Sequence, residues 1–149
     1  MKVYFASDHA GFEMKEKLKE YLKGEGYEVE GLGDFVYNEN DDYPDFISKA
    51  ALAVAQDPDS KGIILGGSGQ GEAIAANKIK GIRAAVYYGG PEDIVKLSRE
   101  HNDANMLSLG ARFLSQEEAQ KAVDLWLKTP FSEEERHKRR IEKIKELEK

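Results

Sequence analysis

The chain of 149 residues contains no cysteine. That excludes a disulfide framework, a thiolate metal site and a thiol nucleophile. Long apolar runs are also missing, the longest being a few residues, so no segment reads as spanning a membrane. The N-terminus, MKVYFASDHAG, lacks the extended apolar region of a secretory signal and passes straight into a first strand, so a soluble cytoplasmic protein is expected. Positive charge is in deficit: 22 Lys and Arg against 28 Asp and Glu give a formal net charge of −6, which argues against a nucleic-acid partner. There are only three histidines, without a close His-x-x-x-His pair, and with no cysteine beside them they make a poor metal site. Internal repeats and low-complexity segments are absent as well.

What is present is one domain's worth of chain, 40% apolar, in which short strands alternate with helical patterns. Strands are expected at Lys2–Ala6, Tyr27–Gly31, Gly62–Leu65, Ile82–Val86 and Met106–Leu109. Helices are expected from Phe12 to about Gly24, from Pro44 to Ala55, over Gly71–Ile79, after Pro91, and from Ser115 to Lys128. Pro44 suits a first helical turn, and Ser115 with Glu118 forms a capping-box pattern. Most strands are apolar on both faces, the signature of a parallel sheet covered by helices on each side. The charged segment Glu133–Lys149 departs from this scheme. Its apolar content is mainly Ile141, Ile144 and Leu147, too little to seat a helix of that length firmly on its own domain. It reads either as a solvated tail or as an arm reaching a neighbouring subunit.

The most telling stretch is Gly62–Lys78, GIILGGSGQGEAIAANK. A buried strand breaks into a glycine-rich turn and then a helix, so free backbone N–H groups meet the positive end of a helix dipole. This is no Walker A loop, because no Lys-Ser/Thr pair follows. The spacing also fails the dinucleotide fingerprint, and Gln70 stands where a nucleophile elbow around Ser68 would need glycine. Four glycines within Gly66–Gly71 exceed what a tight turn requires, which favours an anion cradle. Glu72 lies in the first helical turn. Such a residue commonly complements the dipole, yet its place at the carboxyl end of a central strand is where open parallel sheets bind ligands. Dipole and N–H groups act to lower its pKa and burial acts to raise it. Ionised and partly desolvated, it could abstract a proton beside a carbonyl, and the same N–H groups would stabilise the enediolate formed.

Three further groups stand out. Asp8-His9 follows the first strand, where a helix cap is the commoner role and a site the alternative. His101-Asn102-Asp103 closes a helix ahead of the last strand. Arg136 and Arg140, four apart on one helix face, and Arg112 after the last strand suit bidentate phosphate binding, although a dense charged run is more often a solvated face.

Taken in order, Ala6–Phe12, Asp42-Tyr43-Pro44-Asp45, Gly67-Ser68-Gly69 with Ala75-Ala76-Asn77-Lys78, Gly81–Ala85, Ser98–Asn105, and Arg136-His137 with Arg139-Arg140 cover essentially the whole chain. They resemble the B-type ribose-5-phosphate isomerases, a family shared with galactose-6-phosphate isomerase subunits. The resemblance implies a Rossmann-like α/β/α sandwich around a five-stranded parallel sheet, with residues 1–130 as the core and 131–149 as a C-terminal helix reaching across a homodimer or dimer of dimers. It implies interconversion of ribose 5-phosphate and ribulose 5-phosphate without metal or organic cofactor. Glu72, His101 and Asp8 would be catalytic: Glu72 moving the proton between C2 and C1, His101 assisting ring opening, and Asp8 handling hydroxyl protons nearby. Gly67, Ser68, Gly69, Gln70 and Gly71 would form the anion hole, and Tyr43 and Asn102 would orient sugar hydroxyls. His9 and Arg112 of one subunit, with Arg136 and Arg140 of the other, would hold the phosphate. Many family members carry a cysteine base where this chain has Gly66. A second branch reads Gly-Gly-Ser-Gly-x-Gly-Glu and uses the glutamate, as here. The alternatives are a six-carbon substrate, allose or galactose 6-phosphate, decided by the pocket around the loop Gly33–Asp42, or a non-catalytic sugar-phosphate-binding subunit.

Overall fold

Strand Lys61–Gly66 shows how the sheet is built: Ile63 and Leu65 enter one core cluster and Ile64 the other. Successive side chains point to opposite faces, so a strand apolar throughout must be covered on both. The computed structural model describes residues 1–33 and 40–149. Its elements are β1 (Lys2–Ser7), a single 3-10 turn (His9–Gly11), α1 (Phe12–Gly24), β2 (Glu28–Gly31), α2 (Tyr43–Gln56), β3 (Lys61–Gly66), α3 (Gln70–Asn77), β4 (Ala84–Tyr87), α4 (Asp93–Glu100), β5 (Met106–Gly110), α5 (Gln116–Lys128) and α6 (Glu135–Glu146). The expected loop Gly33–Asp42 falls mostly on residues 34–39, which lie outside the described residues.

The five strands are parallel, in the order β2-β1-β3-β5-β4. One face packs Met14, Leu18 and Leu22 of α1, Val95 of α4, and Ala122, Val123 and Trp126 of α5. The other packs Ile47, Ala50, Ala51 and Val54 of α2 and Ala76 of α3. The expected three-layer sandwich is therefore observed. The chain leaves β1 toward β2 on one side and returns to β3 on the other, which opens a crevice at the carboxyl ends of β1 and β3.

Local signals hold where they are short-range. Pro44 lies in the first turn of α2. Ser115 Oγ accepts from Glu118 N at 3.1 Å while Glu118 Oε1 accepts from Ser115 N at 2.9 Å. β4 starts two residues later than expected. Ile82 N bonds back to Ile79 O, and Arg83 N donates to the Asn105 side chain at 2.8 Å, so neither amide is free for the ladder.

The last helix runs along the amino-terminal edge of the sheet. Its approach is tied down by Arg99 Nε donating to Thr129 O (3.0 Å) and Ser132 N donating to Glu100 O (3.2 Å). Its far end is held by Gly81 N donating to Glu148 Oε2 at 2.7 Å. His137 and Ile141 are buried, while Ile144 and Leu147 stay exposed. Ile141 is thus the apolar residue that α6 buries, as its sparse apolar content leads one to expect, and His137 and the Gly81–Glu148 bond add to it. No helix among the described residues is long and apolar enough to cross a membrane.

Candidate active site

The crevice between β1 and β3 collects the carboxyl-edge candidates. Asp8 N donates to Leu65 O (3.2 Å), and the Asp8 carboxylate accepts from Gly11 N at 3.0 Å. Asp8 is thus a cap, as the commoner reading has it, and a crevice residue too. Gly11 has no room for a side chain: a Cβ there would stand 2.6 Å from the Leu65 Cβ. That close approach brings the Asp8 turn against the end of β3.

The glycine turn is similarly tight. Gly69 caps α3 in the left-handed region (φ 79°), and its carbonyl accepts from Ser108 Oγ at 2.6 Å. Ser68 Oγ accepts from Gln70 N at 3.3 Å. Arg112 N donates to Gly67 O at 3.0 Å, and its guanidinium passes over Gly67, Nη1 lying 3.2 Å from where a Cβ would sit. The Tyr43 hydroxyl lies directly over Gly71. The turn's amides, Tyr43 and Arg112 therefore share one small region at the N-terminus of α3.

Glu72 is 3% exposed. Its carboxylate fills the space above Gly66 so completely that a Cβ at position 66 would fall on it. Burial pushes its pKa up to about 7 from the ordinary 4.5. Its own backbone N–H pulls the other way, while the charge and hydrogen bond of Asp8 and the charge of Asp41 add to the rise. The competition between dipole and desolvation is thus won by desolvation. A buried carboxylate that titrates near neutrality, beside a row of amide N–H groups, suits proton transfer next to a developing oxyanion.

The remaining candidates lie at the other end of the sheet. His101 caps the C-terminus of α4, and the loop after it feeds the start of β5, where Asn105 O accepts from Gly62 N at 3.0 Å. The buried Arg99 holds that loop, its Nη1 donating to Ala104 O (2.7 Å) and to Asp103 Oδ1 (2.9 Å). Asn102, Arg136 and Arg140 are exposed on this edge. The imidazole of His137 on α6 stacks on that of His101, with ring centroids 4.2 Å apart and planes at 16°. The six-residue β3 alone spans roughly 20 Å, so Asp8 and Glu72 do not meet His101, Asn102, Arg136 or Arg140 within one chain. The fold therefore sets the candidates in two groups, one at each edge of the sheet.

The family model described as Ribose/Galactose Isomerase matches residues 3–144. This chain belongs to that family. Ribose-5-phosphate isomerase B of Mycobacterium tuberculosis is 44% identical over 149 residues, which is 100% of this chain and 91% of that protein. Among solved structures, ribose-5-phosphate isomerase B of Mycoplasma genitalium with bound ribulose 5-phosphate is similar with a TM-score of 0.93 at 40% identity, covering 99% of this chain and 95% of that one. That of Clostridium thermocellum is similar with a TM-score of 0.93 at 46% identity, covering 99% and 97%.

Two site neighbours escape a sequence reading. Asp41 lies beside the matched Asp42-Tyr43-Pro44-Asp45 segment, yet its side chain is 2% exposed and its Oδ1 lies 3.5 Å from His9 Nδ1. No periodicity marks Asp41 as buried, because its burial comes from the crevice and not from a helix or strand. His137 is legible only as part of a charged run, and its burial is decided by where α6 lands.

Proximity of Gly66 to Glu72 gives the first testable consequence. A side chain at 66 must expel the carboxylate, so Gly66→Ala should lower turnover by about a hundredfold, the scale of misplacing a catalytic group by an ångström. Circular dichroism should show the fold retained. Turnover at the parent rate would mean that Glu72 is not needed where it stands.

Proposed function

We propose that the chain is an aldose–ketose isomerase interconverting ribose 5-phosphate and ribulose 5-phosphate. The observation that carries this reading is a buried carboxylate with pKa about 7 at a glycine-lined helix N-terminus, in a member of the ribose/galactose isomerase family. Glu72 takes the C2 proton of the open-chain aldose. The electron pair left behind forms the C1–C2 double bond, and the negative charge passes to O1. Amides of Gly67–Gly71 donate to the enediolate oxygens, with Ser68 and Gln70 in the same turn. Return of the proton to C1, with O2 becoming the carbonyl, completes a redox-neutral exchange. Asp8, beside Glu72, carries hydroxyl protons, and Tyr43 orients the sugar. His101 and Asn102 serve ring opening and hydroxyl recognition.

The active unit is a pair of chains, since each edge of the sheet carries only half of these groups. His9 and Arg112 of one chain hold the phosphate together with Arg136 and Arg140 of the partner subunit, and α6 is the arm that brings them. An edge strand, β4, with exposed Ile74, Tyr88, Ile94 and Phe113 around it supports pairing of two copies there. Arg136→Ala should raise the KM for the sugar phosphate about tenfold and leave kcat nearly unchanged, as loss of a charged hydrogen bond to a non-reacting group would. A fall in kcat with unchanged KM would count against the phosphate role.

A coupled assay comparing ribose 5-phosphate with allose 6-phosphate tests the substrate. Preferred turnover of ribose 5-phosphate is expected. Preference for the six-carbon sugar phosphate would replace this reading with the same chemistry on a longer chain.

A further inference from the structure

His137 takes no part in the proposed isomerisation, yet it is among the most buried polar side chains of the described residues, at 3% exposure. Its Nε2 is buried with no hydrogen-bond partner among the described residues, the nearest carboxylate oxygen being that of Glu134 at 3.8 Å. Hydrogen bonding at Nε2 therefore does not explain why an imidazole sits there. Its flat face does, because that face lies on His101. Burial first, then the charges of His101, Arg136 and Arg140, hold the His137 pKa below the ordinary 6.5, with Glu134 opposing. The ring under His101 is therefore neutral at neutral pH.

A general acid or base must keep its nitrogen in line with the oxygen it serves. The terminal torsion of a histidine is broad, so a half-exposed imidazole at a helix end does not fix its own plane. A second ring laid parallel against it removes that rotation. The same helical turn carries Arg136, and Arg140 follows one turn later, so seating His137 also fixes the arginines relative to His101.

We propose that His137 is a positioning residue for ring opening: its buried imidazole sets the plane of the His101 ring and locks the arginine-bearing helix to it. This rests on reading His101 as the ring-opening group. Steps that precede or bypass ring closure should then be indifferent to His137.

Ribulose 5-phosphate separates the steps. Its C5 oxygen is esterified, so it cannot close to a five-membered ring, and wash-in of solvent deuterium at C1 reports enediolate formation alone. His137→Leu keeps apolar bulk to seat α6 but loses the flat face, whereas His137→Phe keeps a ring. His137→Leu should lower turnover of ribose 5-phosphate about tenfold while deuterium wash-in stays within about twofold of the parent, and His137→Phe should restore turnover. If both rates fall together in His137→Leu, or neither falls, or His137→Phe is no better, the positioning role is overturned. Undiminished turnover of ribose 5-phosphate by His101→Gln would overturn the ring-opening reading and this proposal with it. An inactive His101→Gln beside an unaffected His137→Leu would overturn this proposal alone.

Discussion

Glu72→Gln should lower kcat by about three to four orders of magnitude while leaving the affinity for ribose 5-phosphate within a few-fold, the pattern expected when a proton-transfer group is removed without its neighbours. The amide fills the same space above Gly66 and keeps the glycine turn intact, so binding groups are undisturbed. Near-normal kcat would sink the assignment of Glu72 as the base. The parent's pH dependence follows from the same residue. With the carboxyl titrating at about 7, kcat/KM should rise as pH rises through neutrality, since only the ionised form accepts a proton. An ordinary glutamate would have completed that rise near 4.5 and would be a weaker base.

Stability should change in the opposite direction. The folded chain binds the Glu72 proton more tightly than the unfolded chain does. Below about pH 4.5 both states hold it and the group is neutral in its effect. As pH rises through about 7 the folded state has to ionise a buried carboxyl, and stability is lost relative to a chain without it. Glu72→Gln should therefore melt with the parent near pH 4.5 and above it near pH 8, the gain being on the order of 3 kcal/mol. A parent whose melting temperature tracks the variant across that range would show that Glu72 is not held protonated by the fold.

Two inactive variants should restore each other. Glu72→Gln disables the carboxyl-edge half-site and His101→Asn the amino-edge half-site, and each alone leaves no complete site in a homodimer. After co-refolding in equal amounts, half of the dimers are mixed, and each mixed dimer has one intact site and one carrying both substitutions. About a quarter of the parent activity should return, given an isologous pair in which each site draws on both chains. Absence of any return, with mixed dimers demonstrated by a tag on one chain, would mean that the sites are not shared.

These expectations draw unequally on the sequence. Gly66–Glu72 was readable because strand, glycines and helix are adjacent in the chain, and short-range geometry decides what they do. The α5 capping box and Pro44 in α2 were readable for the same reason. Asp8 could be placed at the carboxyl edge once the strands were taken as parallel. β4 starts later than its apolar run predicts because the amides of Ile82 and Arg83 are claimed by a turn and by Asn105. The contact of His137 with His101 was not legible, because a ring stack between residues 36 apart depends on where α6 lies in space.

The sequence by itself determined the layered α/β architecture, through strands apolar on both faces, and it determined the strand–glycine turn–helix unit with Glu72 in the first helical turn. Tertiary structure alone decided three things. It buried Glu72 and set Asp8 and Asp41 beside it, so that desolvation outweighs the helix dipole and the carboxyl titrates near 7. It laid His137 against His101. It also put the two groups of candidate residues at opposite edges of one sheet, because helices run antiparallel to the strands they connect, and a residue closing a helix emerges at the end opposite to one that follows a strand.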